Sequence, residues 1–362
     1  MSKKELLAVI KYSGAFIAWV IGSGFATGQE ILQFFGSYGL KSVAVLAVNL
    51  IGFAVLGVIM LTEGFKNKNE PDFDHYRYYC GKYIGRVYSV IIPITLILII
   101  SVLLSAAGAT LNQYYSINRY LGSAVMAALI LGAYLVGFER LVKIVSSVSP
   151  FVILFVVFVG GYTVIKDRAA IVCVSDCTER LAEFNAAPHW AVSSVLYLSL
   201  NFLCGSTYYT ALGRSSETKR AAGMGALIGS VVLLITITLI NFAILLNAGD
   251  IVNVSVPTLF LASKISGVFG AVFSAVLLLG MFSSCSTMVW SFCSGFFKKD
   301  SRKNKIFSVF TVIVCGLLGL VPFGKLVSVA YPMIGYSGLV FIAAVLYKGI
   351  YNLKKKFISS LS

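Results

Sequence analysis

Charge is scarce in this chain. Only 12% of its 362 residues are Asp, Glu, Lys or Arg, where a soluble domain carries about a quarter. Histidine is nearly missing: His75 and His189 stand alone in different connections, and the seven cysteines include no CxxC pair. Zinc and haem sites, which need His and Cys grouped at short spacing, are therefore not expected. HExxH, GxSxG and Walker patterns and paired acidic residues inside apolar runs are also lacking, which argues against an enzyme. No resident cofactor is expected.

What the chain does have is apolar length. Hydrophobic residues make up 58% of it and the mean hydropathy is +0.90. These residues come in blocks of about 20 or more, enough to cross a hydrocarbon core of roughly 30 Å. The blocks run over about 6–35, 39–61, 87–111, 120–138, 141–165, 189–212, 221–246, 268–297, 306–321 and 326–347. The expected fold class is thus all-α and integral to the membrane, with about ten transmembrane helices in one domain. The opening lysines before an apolar run resemble a signal peptide, but the run continues past Ser23 without a cleavage site, so it reads as a retained helix. A Tyr-rich stretch over about 63–86 is expected to lie on the membrane surface and anchor there. The connection over about 249–267 is too broken to span and reads as a re-entrant or surface helix.

The net charge of +15 invites a nucleic-acid reading, but its distribution speaks against one. The basic residues sit between the apolar blocks, with no stripe of interleaved aromatics. With ten spans and a cytoplasmic start, only Lys41, Arg119, Lys166, Arg168, Arg180, Lys264 and Lys325 of the 29 Lys and Arg fall outside. That asymmetry is the positive-inside pattern. It predicts a multi-pass protein of the cell membrane, in a bacterium the cytoplasmic membrane, with both termini cytoplasmic and a tail at 348–362. The long connection over about 166–188 then lies outside. It carries Cys173 and Cys177, for which a disulfide and two free thiols both remain open.

Two apolar blocks are interrupted near their middles. The first contains Gly22-Ser23-Gly24, and the sixth contains the polar run from Ser199 to Ser206. These blocks occupy equivalent places if the helices divide five and five, with repeat one over about 6–165 and repeat two over about 189–347. An odd number of helices per repeat inverts the second repeat in the membrane, the architecture of many secondary transporters. Lipid cannot satisfy unwound backbone, so such a stretch must line a polar cavity or bind something. Small residues packing two helices closely are the plainer reading of Gly22–Gly24 alone; the matching interruption in the sixth block favours a true break.

Glu30 is the one acidic residue well inside an apolar run. It reads as a coupling or gating group by default, because an ionised carboxylate there costs several kcal/mol unless paired or hydrated. A place at the water-facing end of its helix is the alternative. Glu63, Glu139 and Asp250 read as solvated helix-end residues. Ser101 and Ser105, one turn apart, either line a cavity from the third helix or hydrogen-bond across helices.

The run from Phe16 to Gly39, and above all GSGFATGQEILQFF, closely resembles the opening of the YkvI family of bacterial membrane proteins. That family is similar to the amino acid–polyamine–organocation superfamily, which has the leucine-transporter (LeuT) fold. The resemblance implies a five-plus-five bundle with discontinuous helices 1 and 6. On it, the backbone of Gly22, Ser23, Gly24 and Phe25 would meet the substrate. Ser199 and Asn201 would hydrogen-bond it, and Phe202 would wall the pocket. It also implies a Na⁺ site built from the carbonyls of Ala18, Ile21 and Gly280 and the hydroxyls of Ser283 and Ser284. The expected function is alternating-access transport of a small polar solute, an amino acid or related amine, coupled to Na⁺ or H⁺. A transporter-like membrane sensor that binds solute without moving it is the alternative. The expected partners are the lipid bilayer and a small-molecule solute, with no nucleic acid.

Overall fold

The computed structural model describes residues 3–71, 73–136, 149–168, 180–298 and 301–361, and among these there are helices and no strands. Cys173, Cys177, Glu139 and the start of the fifth apolar block lie outside the described residues. The first block forms three helical pieces, α1 (Lys3–Val20), α2 (Ser23–Ala26) and α3 (Gln29–Phe34). Then follow α4 (Ser42–Lys66), α5 (His75–Tyr115), α6 (Arg119–Val136) and α7 (Ser149–Lys166). The second half contains α8 (Trp190–Cys204), α9 (Ser206–Arg214), α10 (Lys219–Leu246), α11 (Ala248–Ile251) and α12 (Pro257–Ile265). It ends with α13 (Gly267–Ser294), α14 (Arg302–Leu318) and α15 (Phe323–Leu361). Among the described residues, Gly36–Lys66, His75–Tyr115, Lys219–Leu246, Gly267–Ser294 and Phe323–Lys355 are long and apolar enough to cross a membrane individually.

Local chemistry explains several helix limits. Thr218, Ser266 and Ser301 accept hydrogen bonds from the amides of Ala221, Phe269 and Asn304, satisfying first-turn donors that have no partner within the helix. Gly81, with φ +74° and ψ −179°, splits α5 into a short leg and a long span. The leg is the expected surface stretch, but its aromatics do more than anchor. Tyr79 and Tyr88 are buried and, with Tyr76, pack around Phe341 of α15. Glu63 departs from expectation too. It is 4% exposed, held by Lys66 and by the Tyr78 hydroxyl at 2.7 Å, because the α5 leg folds over the end of α4. The last helix runs past Tyr347 through Leu361, so the expected tail continues α15.

The broken first span is central to the bundle. Every residue of α3 is buried, and around it α10 packs on α1, α4 and α7, while α8 packs on α15 and α4. The outer surface is apolar instead: Phe310, Ile313 and Leu317 of α14 and Val231, Val232 and Ile235 of α10 are exposed. Their i, i+3, i+4 and i+7 spacing forms apolar stripes facing outward, the reverse of a soluble helix. This is the surface of an integral membrane protein.

Close backbone contact joins α9 to α4. A Cβ on Gly213 would lie 2.2 Å from the Leu61 carbonyl oxygen. Gly213→Ala should therefore lower stability by about 1–3 kcal/mol through overpacking, read as a lower thermal unfolding midpoint of the detergent-purified protein. Gly132→Ala, where a Cβ meets nothing within 4 Å, should leave it unchanged.

Candidate functional site

The helical ladder of the first span stops at Ile21. Gly22 is extended, with φ −86° and ψ −173°, and its N–H bonds the Val20 carbonyl at 2.8 Å instead of that of Ala18. Regular i→i+4 bonding resumes with Ala26 to Gly22 at 3.0 Å. Among the described residues, the carbonyls of Ala18 and Ile21 are thus released from the ladder. Three weak helix formers in a row make the break cheap. Gly24 is also needed for room, since a Cβ there would come 2.9 Å from the Tyr331 hydroxyl.

A second interruption follows six residues later, one that sequence reasoning missed. Gly28 is left-handed at φ +78°, and a Cβ on it would sit 2.8 Å from Thr258 Cγ2. Only glycine combines that φ with that space. The carbonyls freed here are taken by α12, which lies in the expected re-entrant connection. The Thr258 hydroxyl donates to Ala26 O, and the Thr258 amide donates to Thr27 O at 3.2 Å. The Gln113 side chain fixes the start of α12, donating to Val256 O at 2.9 Å and accepting from Val256 N at 2.8 Å. The clue in the sequence was the dipeptide Thr27-Gly28, whose glycine is a strong local punctuator.

The sixth span differs from expectation. No unwinding occurs over Ser199–Phe202, because the Ser199 hydroxyl and the Asn201 amide group donate to Val195 O and Tyr197 O within an intact helix. The joint lies at Gly205, and backbone bonds Gly205 to Asn201 and Tyr209 to Gly205 keep it a kink. Phe202 is fully buried between Phe53 and Tyr209, part of the core instead of a pocket wall. Gly205 is where the two spans cross: a Cβ would lie 2.5 Å from Trp19 Nε1 and 2.7 Å from Asn201 O. Trp19 stacks on Tyr208 at 5.1 Å, and Phe16 meets Tyr209 at 4.9 Å. The N-terminal end of α9 is held by the α5 leg, with the Ser206 hydroxyl 2.6 Å from Tyr76 Oη and 3.3 Å from His75 Nε2. His75 precedes the Gly81 break and lies outside the span; burial pushes its imidazole down to about 4, so it is neutral at pH 7.

Glu30 does not face water. It is 8% exposed, and its carboxyl points towards the Tyr197 hydroxyl of α8, within electrostatic reach of Tyr331 of α15. Tyr331 in turn lies against Gly24 and near Cys285 of α13. A buried carboxyl, two tyrosines and the first-span break therefore share one locus, on which α3, α8, α13 and α15 converge. On α3 itself, the side-chain carbonyl oxygens of Gln29 and Gln33 are buried without a hydrogen-bond partner among the described residues, and both side chains lie towards Gly324 at the start of α15. Polar atoms in that state mark where a ligand can bond.

The other expected residues are distributed differently. The Ser101 hydroxyl bonds its own helix at Ile97 O, and Ser105 donates to Val321 O at 2.8 Å. Ser105 thereby fastens α5 to the connection that follows α14, a bond between helices, while the Ser101 hydroxyl serves only its own helix. Gly280, Ser283 and Ser284 lie on the part of α13 that leads into Cys285, and α13 packs against α2. The Ser283 carbonyl accepts from the Thr287 hydroxyl at 2.9 Å.

No established family model matches the chain. It is 26% identical to the uncharacterized membrane protein YkvI of Bacillus subtilis over 347 residues, 92% of this chain and 94% of that protein. It is 20% identical to the uncharacterized protein YyaD of the same organism over 357 residues, 94% and 96% of the two chains. Among solved structures it is similar to the Eremococcus coleocola manganese transporter in complex with an aromatic bis-isothiourea compound. That match has a TM-score of 0.53 at 12% identity and covers 96% of this chain and 97% of the other. At this identity the likeness is one of fold alone.

The α12 clamp generates a direct test. Thr258→Val keeps the side-chain shape but strands the Ala26 carbonyl, and should cost about 1–3 kcal/mol, measured by thermal unfolding. Thr258→Ser, which retains the hydroxyl, should lose less than half as much.

Proposed function

We propose that the protein is a secondary active transporter that carries a small polar solute, an amino acid or related amine, by alternating access across the bacterial cytoplasmic membrane. The observation that carries this reading is the juxtaposition of a severed first span with a buried carboxyl at Glu30. Broken backbone inside a bundle supplies fixed dipoles for a polar solute, and a carboxyl excluded from water supplies a site for a cation or a proton. In this reading ten spans form two inverted sets of five, divided at about 6–165 and 189–347, with both termini in the cytoplasm. The amides of Ser23, Gly24 and Phe25 take an anionic group of the solute. Glu30, Tyr197 and Tyr331 face its cationic end, and Asn201 and the tyrosine rings line the site.

Coupling has two candidate seats. The released carbonyls of Ala18 and Ile21 support the Na⁺ set completed by Gly280, Ser283 and Ser284, five neutral oxygens suited to a hard, weakly held cation. Glu30 is the seat for H⁺, because a buried carboxyl changes protonation as its surroundings open and close. The fold is shared with a manganese transporter, but among the described residues no group of three or more His, Cys, Asp or Glu gathers to hold a metal ion.

Uptake of labelled amino acids and amines into proteoliposomes should accumulate one class under an imposed Na⁺ or H⁺ gradient. Binding without gradient-driven accumulation would make the protein a sensor. Glu30→Gln should reduce proton-driven uptake at least about tenfold, the scale of losing one specific charge interaction of 1.4 kcal/mol, while solute exchange persists. Ser284→Ala should instead abolish Na⁺-dependent thermal stabilisation. If Glu30→Gln keeps full proton-driven uptake and Na⁺ has no effect on the wild type, both seats are wrong.

A further inference from the structure

Two glutamines on α3 are buried more deeply than their polarity explains. Gln29 and Gln33, one turn apart and so on one face of the helix, are 1% and 0% exposed. The Ser37 hydroxyl extends their line by donating to Gln33 O at 2.9 Å. The two ends of these side chains fare differently. The Gln33 Nε2 donates to Gly324 O at 2.9 Å, whereas the Oε1 atoms of both glutamines accept nothing among the described residues. An amide oxygen buried without a partner is costly. Two of them, one turn apart, point to a hydrogen-bond donor held beside α3.

The surroundings suit water as that donor. Gly324 has no side chain, and a Cβ on it would lie 3.1 Å from Gln29 Nε2, so the glycine leaves space beside that amide. Pro322 and Lys325 are exposed and Gly324 is partly so, which brings solvent to the edge of the glutamine pair. On the other side is Glu30, which lies between Gln29 and Gln33 in the chain. Tyr331, within electrostatic reach of Glu30, stands seven residues along α15 from Gly324. That is two turns, on the same helix face. The contact of α3 with α15 therefore runs from the surface to the buried acid. Polar residues buried within spans mark water and proton routes. We propose that Gln29 and Gln33 position water between the surface at residues 322–325 and Glu30. A proton passes along that water: a hydronium at the surface gives it up and the Glu30 carboxylate gains it. In the topology proposed above, this surface is the outer one. This rests on Glu30 as the proton seat and adds the route by which the proton reaches it.

The test follows the Glu30 carboxyl of the full-length protein by infrared spectroscopy at acidic pH, its band identified by loss in Glu30→Gln. On transfer to heavy water the wild-type band should shift promptly. Gln29→Leu with Gln33→Leu should slow that shift about tenfold, the scale of one or two hydrogen bonds lost from the route. Proton-driven uptake into proteoliposomes should slow with it. Gly324→Ala, whose methyl would take the space beside the Gln29 amide, should also slow the shift. Exchange as fast in these variants as in the wild type would overturn the proposal, as would a wild-type carboxyl that stays unexchanged. A lower thermal midpoint with wild-type exchange would overturn it too, marking the glutamines as packing residues. Uptake that ignores protons would refute Glu30 as the coupling seat, yet prompt exchange slowed in the variants would still uphold the water route. Should the double variant fail to fold, Gly324→Ala decides alone.

Discussion

A peptide group released from its helix inside a bilayer-spanning bundle has no water to turn to, and each one left bare costs several kcal/mol. Much of this structure answers that requirement at the first span. The chain breaks at Gly22 and again at Gly28, and each break frees carbonyls at mid-bundle. At the second break the answer is internal: Thr258 covers Ala26 and Thr27, and Gln113 holds the segment that carries Thr258. At the first break, among the described residues, no amide of the following turn bonds the carbonyls of Ala18 and Ile21. One break is therefore structural and closed, and the other is available for chemistry.

The same logic explains why the sixth span bends without opening. Its polar side chains are spent on its own backbone, Ser199 on Val195 and Asn201 on Tyr197. Gly205 supplies the close approach that lets Trp19 of the first span cross it. The crossing is secured by stacked aromatics, Trp19 on Tyr208 and Phe16 on Tyr209. At the far end of the first span, the Ser193 hydroxyl bonds Phe34 O at 2.9 Å and Ala186 N bonds Gln33 O at 3.1 Å. The broken helix is thus gripped beyond its second break and crossed just before its first.

How far the sequence could be read depended on the kind of residue. Gly22-Ser23-Gly24 was legible only beside the sixth block: three small residues in an apolar run also suit close helix packing, and a second interruption at the equivalent place favoured a break. Glu30 was legible because a carboxyl in such a run is costly. Tyr197 and Tyr331 were not, since tyrosines are common in membrane proteins and nothing local separates one that faces a buried acid from one that anchors at the interface. Ser199 and Asn201 misled for a related reason. A polar side chain in a helix can unwind it or bond its own carbonyls, and composition does not choose between them. Glu63 looked solvated because its partner Tyr78 lies beyond the turn and comes back only when the α5 leg folds over.

Alone, the sequence determined that this is an all-helical membrane protein, and it pointed to a break in the first span and to one costly acid, Glu30, beside it. These follow from hydropathy, helix propensity and the cost of charge in lipid, all properties of a residue and its near neighbours. Only the tertiary structure decided that Glu30 meets tyrosines from two other helices, that α12 closes the break at Gly28, and that the sixth span bends at Gly205. Each of those is a contact between residues more than 150 positions apart or a question of which acceptor wins a hydrogen bond, and both are settled by packing.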